Sequence, residues 1–339
     1  MTLMKFERGR PRALGAAIAA VGLAFGGLAF GLGLAAPAQA ETKVIYLLPA
    51  PPSLPAFAPM MIAKQKGYYK EAGLDVEFQV GKGGVDVAKQ IGAGNVDIGN
   101  GLGDGPIIVR PNGVPVKAVA LLGGGSMMVI AARPDAGINS PKDLKGKTVT
   151  VLSYQDTTYY ALLGVLASVG LNKNDVNIQA VGPAGVPQLV IAGKADACAC
   201  VPDWAVNVQD GVKGAKLFPA KDYFPSMAQA IISSDKAIAE KPQLIGAFVK
   251  ATLRAFKDII DDPKAASLVY VEALPAYKGK EALMERILAM YTELTYKGQT
   301  TLGMMDEARL AKLQDFYLAQ GFIEKKTPVN ELYTNQFVK

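Results

Sequence analysis

From residue 43 onward, short runs of β-branched and apolar residues alternate with amphipathic stretches, the pattern of a sheet whose strands are joined by crossover helices. Runs at 44–48, 75–80, 96–99 and 116–122 predict one set of strands, and runs at 148–152, 177–181 and 195–201 a second. The spacing of Ala58, Met61, Ile62, Tyr68, Tyr69 and Ala72 predicts a helix over 57–72 that stops at Gly73. A helix opened by Asp156 is apolar on nearly every face through Val169 and closes on Gly170, so it is expected to be buried. Strand-like runs at 127–133 and 227–233 contain few turn residues and are expected to carry the chain across from the first set to the second and back. Beyond Lys236 the pattern becomes helical over 242–260, 263–274, 280–295 and 305–320, helices expected to complete the first lobe.

The two strand sets share an internal echo. Ala93-Gly94-Asn95-Val96-Asp97 returns as Ala192-Gly193-Lys194-Ala195-Asp196, each time after a helical stretch and before a short apolar run. Glycine ends the helix in the left-handed conformation and the aspartate opens the strand. Gly84-Val85 and Gly185-Val186 start the two preceding helices at nearly the same offset. The expectation is two lobes of similar topology, the first made of 41–130 and 227–339, the second of 131–226. Two unrelated helix-to-strand turns in one long sheet are the alternative.

The first forty residues read differently. Lys5, Arg8, Arg10 and Arg12 precede an uncharged Ala-, Gly- and Leu-rich stretch, followed by Pro37 and the small-residue run Ala38-Gln39-Ala40. This is the order of a secretory signal peptide cleaved after Ala40. An uncleaved anchor is the other reading, since the stretch is long enough to span a bilayer. No cysteine lies near the cut to carry a lipid, so the expected product is a diffusible periplasmic protein. Removing the four basic residues and Glu7 leaves 32 basic against 29 acidic residues, so the formal charge of +6 falls to +3. That modest charge, with no basic cluster interleaved with aromatics, argues against nucleic acid as a partner.

The chain has no histidine, which removes imidazole-based hydrolases, most zinc sites and most general-base schemes. Its two cysteines, Cys198 and Cys200, stand two apart in an apolar run, a poor geometry for a disulfide and half of a zinc site at most. They read as small buried strand residues. Neither cofactor nor metal is expected.

Ile62-Ala63-Lys64-Gln65-Lys66-Gly67-Tyr68-Tyr69-Lys70-Glu71-Ala72-Gly73-Leu74-Asp75-Val76 resembles the opening signature of solute-binding proteins of the nitrate, sulfonate, taurine and thiamine-pyrimidine group. Ser140-Pro141-Lys142-Asp143-Leu144-Lys145-Gly146-Lys147-Thr148-Val149 is similar to the start of that group's second lobe, and Pro328-Val329-Asn330-Glu331-Leu332-Tyr333 to its C-terminal run. The resemblance implies an α/β, two-lobed type II periplasmic-binding fold with two crossing hinge strands, closing on a small-molecule solute. It implies a monomer whose partner is an ABC permease in the inner membrane. Many of the group carry Trp-Glu-Pro after the strand of the second echo, where this chain has Val201-Pro202-Asp203-Trp204. Relatives that make the thiamine pyrimidine consume an active-site histidine, and this chain has none to consume.

In such a fold the ligand meets loops at the carboxyl ends of the strands. The candidate loops, 50–57, 100–105, 123–127, 153–159, 182–187 and 201–204, contain no Lys or Arg. They offer the carboxylates Asp104, Asp156 and Asp203, the aromatics Phe57, Tyr154 and Trp204, and the smaller polar groups Ser53, Asn100, Ser126, Thr157 and Thr158. Each carboxylate also stands where it could cap a helix. As ligand contacts they favour a planar, nitrogen-containing or pyrimidine-like solute, since a carboxylate repels a sulfonate. A sulfonate, taurine or nitrate held by helix N-termini and hydroxyls stays open.

Overall fold

A computed structural model describes residues 41–338; the signal peptide and the cut after Ala40 lie outside the described residues. Among the described residues, ten strands form two five-stranded sheets. Strands β1 (Thr42–Leu48), β2 (Leu74–Val80), β3 (Ile98–Leu102) and β4 (Val116–Leu121) belong to the first sheet, and β5 (Val129–Ala132), β6 (Thr148–Val151), β7 (Asn177–Ala180), β8 (Ala197–Cys200) and β9 (Lys216–Pro219) make the second. The tenth, β10 (Gln229–Ser234), returns to the first sheet. The orders are β2-β1-β3-β10-β4 and β7-β6-β8-β5-β9. In each, four strands run in one direction and the strand made directly after a crossing, β10 or β5, is antiparallel to both neighbours.

The helices are α1 (Ala58–Gln65), α2 (Tyr68–Glu71), α3 (Gly84–Gly92), α4 (Gly105–Val109), α5 (Thr157–Ser168), α6 (Gly182–Ile191) and α7 (Pro202–Gly211). After the return come α8 (Asp235–Glu240), α9 (Pro242–Asp261), α10 (Pro263–Ala273), α11 (Glu281–Tyr291), α12 (Glu307–Ala319) and α13 (Val329–Leu332). None among the described residues is long and apolar enough to cross a membrane.

The echo marks equivalent places. Ala93 and Ala192 end α3 and α6, Gly94 and Gly193 take φ of 78° and 72°, and the strands that follow, β3 and β8, hold the same central position in their sheets. The second helix opens at Gly182, three residues before the expected Gly185.

Several boundaries depart from the pattern. The helix expected over 57–72 is two, because Gly67 at φ 75° breaks it between α1 and α2; Met61 is only partly buried and Ala72 is exposed. The crossings are residues 122–128 and 220–228, so the runs expected to cross become strands wholly inside one sheet. β9 was absent from the pattern, being four half-buried residues ending in proline. The C-terminal helices do more than complete the first lobe: α11 packs on α7 of the second. Cys198 and Cys200 are buried and unbridged in β8, aligned with Ala131 and Val129 of β5.

The two crossings are tied to each other and to the C-terminal segment. Ser126 Oγ and Ser226 Oγ are 2.5 Å apart, and Met127 N donates to Met227 O at 3.4 Å. Arg309 of α12 donates to the carbonyls of Gly124 (2.6 Å), Gly125 (3.2 Å) and Pro225 (2.9 Å), and to that of Ser226. Gly123, at φ 129°, passes so close to the turn after α11 that a Cβ would lie 2.1 Å from Thr295 O. Only glycine fits there.

Candidate functional site

Between the sheets a cavity is walled by Phe57 and Leu54 from the segment before α1, Leu102 from β3, Leu152 after β6 and Trp204 from α7. Its polar lining is confined to Asp156, Thr157, Thr158 and Gln229. The first three open α5, whose first turn is buried because the whole helix is apolar around its circumference. Gln229 is 3% exposed, and its side-chain carbonyl has no hydrogen-bond partner. The free volume is about 40 Å³, room for on the order of three water molecules. A solute of any size therefore enters only if the lobes part.

They are held together beside the cavity. Asp156 caps α5 by accepting from Thr158 N (2.9 Å) and Thr158 Oγ1 (2.5 Å) through one oxygen. Its other oxygen accepts from Gly84 N, at the start of α3 in the first lobe, at 3.1 Å. Val85 N donates to Gln155 O at 2.9 Å and Ser153 Oγ to Lys82 O at 2.8 Å. Close approach depends on two glycines: a Cβ on Gly83 (φ 116°) would lie 2.7 Å from Gln155 O, and one on Gly84 2.8 Å from Thr157 Oγ1. Gly83 has no side chain with which to cap α3, so the cap comes from across the cleft.

Of the residues singled out in the sequence, Phe57, Asp156, Thr157, Thr158 and Trp204 line the cavity. The structure places the others elsewhere. Asp104 is fully buried and accepts from Tyr317 Oη at 2.7 Å, while its second oxygen has no partner; it caps no helix through its side chain. Asp203, one residue inside α7, accepts from Tyr291 Oη at 2.5 Å, and Tyr270, Tyr277 and Tyr296 surround it electrostatically. Burial pushes both carboxyls up to about 6, against the opposing pull of those tyrosine hydrogen bonds. Ser53 presents its backbone carbonyl to the hydroxyls of Tyr270 and Tyr277. Asn100 donates to Tyr46 Oη at 3.2 Å, Ser126 belongs to the crossing, and Tyr154 is 52% exposed with its hydroxyl on Ile178 O. Gln229 went unnoticed in the sequence, although a lone amide within the apolar run 227–233 was a usable signal.

The family model described as NMT1/THI5 like matches residues 54–266. The chain belongs to the NMT1/THI5-like family. The riboflavin-binding protein RibY of Chloroflexus aurantiacus is 27% identical over 294 residues, 83% of this chain and 82% of RibY. Among solved structures, the alkanesulfonate-binding protein SsuA of Xanthomonas axonopodis pv. citri, bound to MOPS, superposes with a TM-score of 0.68 at 19% identity, covering 87% of this chain and 98% of that one. The desulfurization enzyme DSZB shares the fold at a TM-score of 0.55 and 16% identity, over 88% of this chain and 98% of that chain. The fold is thus the two-lobed periplasmic-binding one. Because the fold also carries an enzyme, the cleft chemistry has to decide what this member of the family does.

Proposed function

We propose that this NMT1/THI5-like protein is a monomeric periplasmic carrier that closes on a planar, nitrogen-containing heterocycle of pyrimidine-to-flavin type and delivers it to an inner-membrane ABC permease. The observation that carries the reading is the wall of the cavity: Phe57 and Trp204 with aliphatic side chains, two hydroxyls, one amide and one carboxylate, and no Lys or Arg. Such a surface stacks on a flat ring and orients it by hydrogen bonds to ring nitrogens and carbonyls. The unpartnered Gln229 amide supports this, since a buried polar group left unmatched costs about 1–3 kcal/mol that a ligand recovers. Similarity to RibY points the same way. A carrier fits better than a catalyst, because the chain offers no imidazole and both of its thiols are buried in β8.

The test is a binding screen on purified protein with riboflavin, an aminopyrimidine and taurine, read by melting temperature and by Trp204 fluorescence. Riboflavin or the aminopyrimidine is expected to raise the melting temperature with concentration and to change the emission of Trp204. Gln229→Ala is expected to weaken that binding roughly tenfold. A response to taurine alone would overturn the ligand class.

A further inference from the structure

The N-terminus of a helix, with its free N–H groups and positive dipole end, is the ordinary seat for a ligand anion. Two such ends, those of α3 and α5, meet beside this cavity from opposite lobes, and the seat between them is taken. We propose that Asp156 is a built-in anion: its carboxylate occupies the junction of the two helix ends, so the cleft rejects anionic solutes, and the protein's own side chain clasps the lobes together. Both carboxylate oxygens are used, one on Thr158 of α5 and one on Gly84 of α3. The two glycines that open α3 let the second lobe approach within backbone contact, and Gln155 O takes the next N–H, so the two leading donors of that end are already engaged. A sulfonate, nitrate or carboxylate arriving in the cavity would meet a like charge with no Lys or Arg in the lining to offset it.

The inference rests on the reading of this cavity as the ligand cleft, and the experiment separates the two. Methanesulfonate is titrated at constant ionic strength into wild type and Asp156→Ala, with Trp204 fluorescence as readout and riboflavin in parallel. Asp156→Ala is expected to bind methanesulfonate at least tenfold more tightly than wild type. Unchanged affinity overturns the inference, and riboflavin binding by wild type in the same series leaves the carrier reading standing. Tight methanesulfonate binding by wild type itself overturns both. Gly83→Ala breaks the clasp from the other lobe while leaving Asp156 in place. Its radius of gyration by small-angle scattering is expected to exceed that of wild type, and an unchanged radius overturns the clasp even if Asp156→Ala does not fold.

Discussion

Asp104 and Asp203 stand at equivalent stations, each just beyond the strand that follows the echoed turn, and each buried beside a tyrosine hydroxyl. Their shared elevation to about 6 has a thermodynamic sign. Relative to an unfolded carboxyl near 3.8, the folded protein holds extra protons between about pH 4 and pH 6, so stability from these two groups is complete below that window and is lost as pH rises through it. Each contributes about 3 kcal/mol to that loss. Asp203→Asn, which keeps an acceptor for Tyr291, is expected to flatten the decline, with urea denaturation at pH 4 and pH 7 as the measurement; a loss of stability between the two pH values as large in the variant as in the wild type would refute the assignment. Capping and ligand contact were the two roles visible in the sequence for the three carboxylates. Asp156 combines capping with a place in the cavity, whereas Asp104 and Asp203 line no part of it and accept from tyrosine hydroxyls 213 and 88 residues away, beyond the reach of any local pattern.

Helices and strands were legible wherever a face repeats. The stripe Ile245, Phe248, Val249, Thr252, Phe256 and Ile259 is buried along α9 as its spacing requires. Periodicity failed at Gly67, where one left-handed residue divides a continuous apolar pattern, and at β9, too short and too half-buried to alternate. It found α12 but not its task, because a single arginine on an amphipathic helix reads as solvent-facing. Arg309 instead binds four carbonyls on two chain crossings. Arg309→Met is expected to destabilise the fold by about 3 kcal/mol or more, since partly buried carbonyls lose a charged donor, and to cooperative unfolding by urea this appears as a lower midpoint. A midpoint within a few tenths of a molar of wild type would show that the crossings hold without it.

At the scale of the whole chain, the repeated turn before β3 and β8 was enough to foresee two sheets of one topology, since equivalent strands need equivalent helix ends. How the sheets face each other was not legible, because it depends on contacts such as Gly84 to Asp156 and Tyr291 to Asp203 that join segments from both halves. The trans-cleft cap on α3 has a consequence for motion. When the lobes separate, the first turn of that helix loses the partners of Gly84 N and Val85 N together and has none of its own to replace them, so opening the cleft and fraying the helix are one event. Amide hydrogen exchange at these two residues therefore counts how often the protein gapes, and a bound solute should slow both by the same factor while leaving the rest of α3 unchanged.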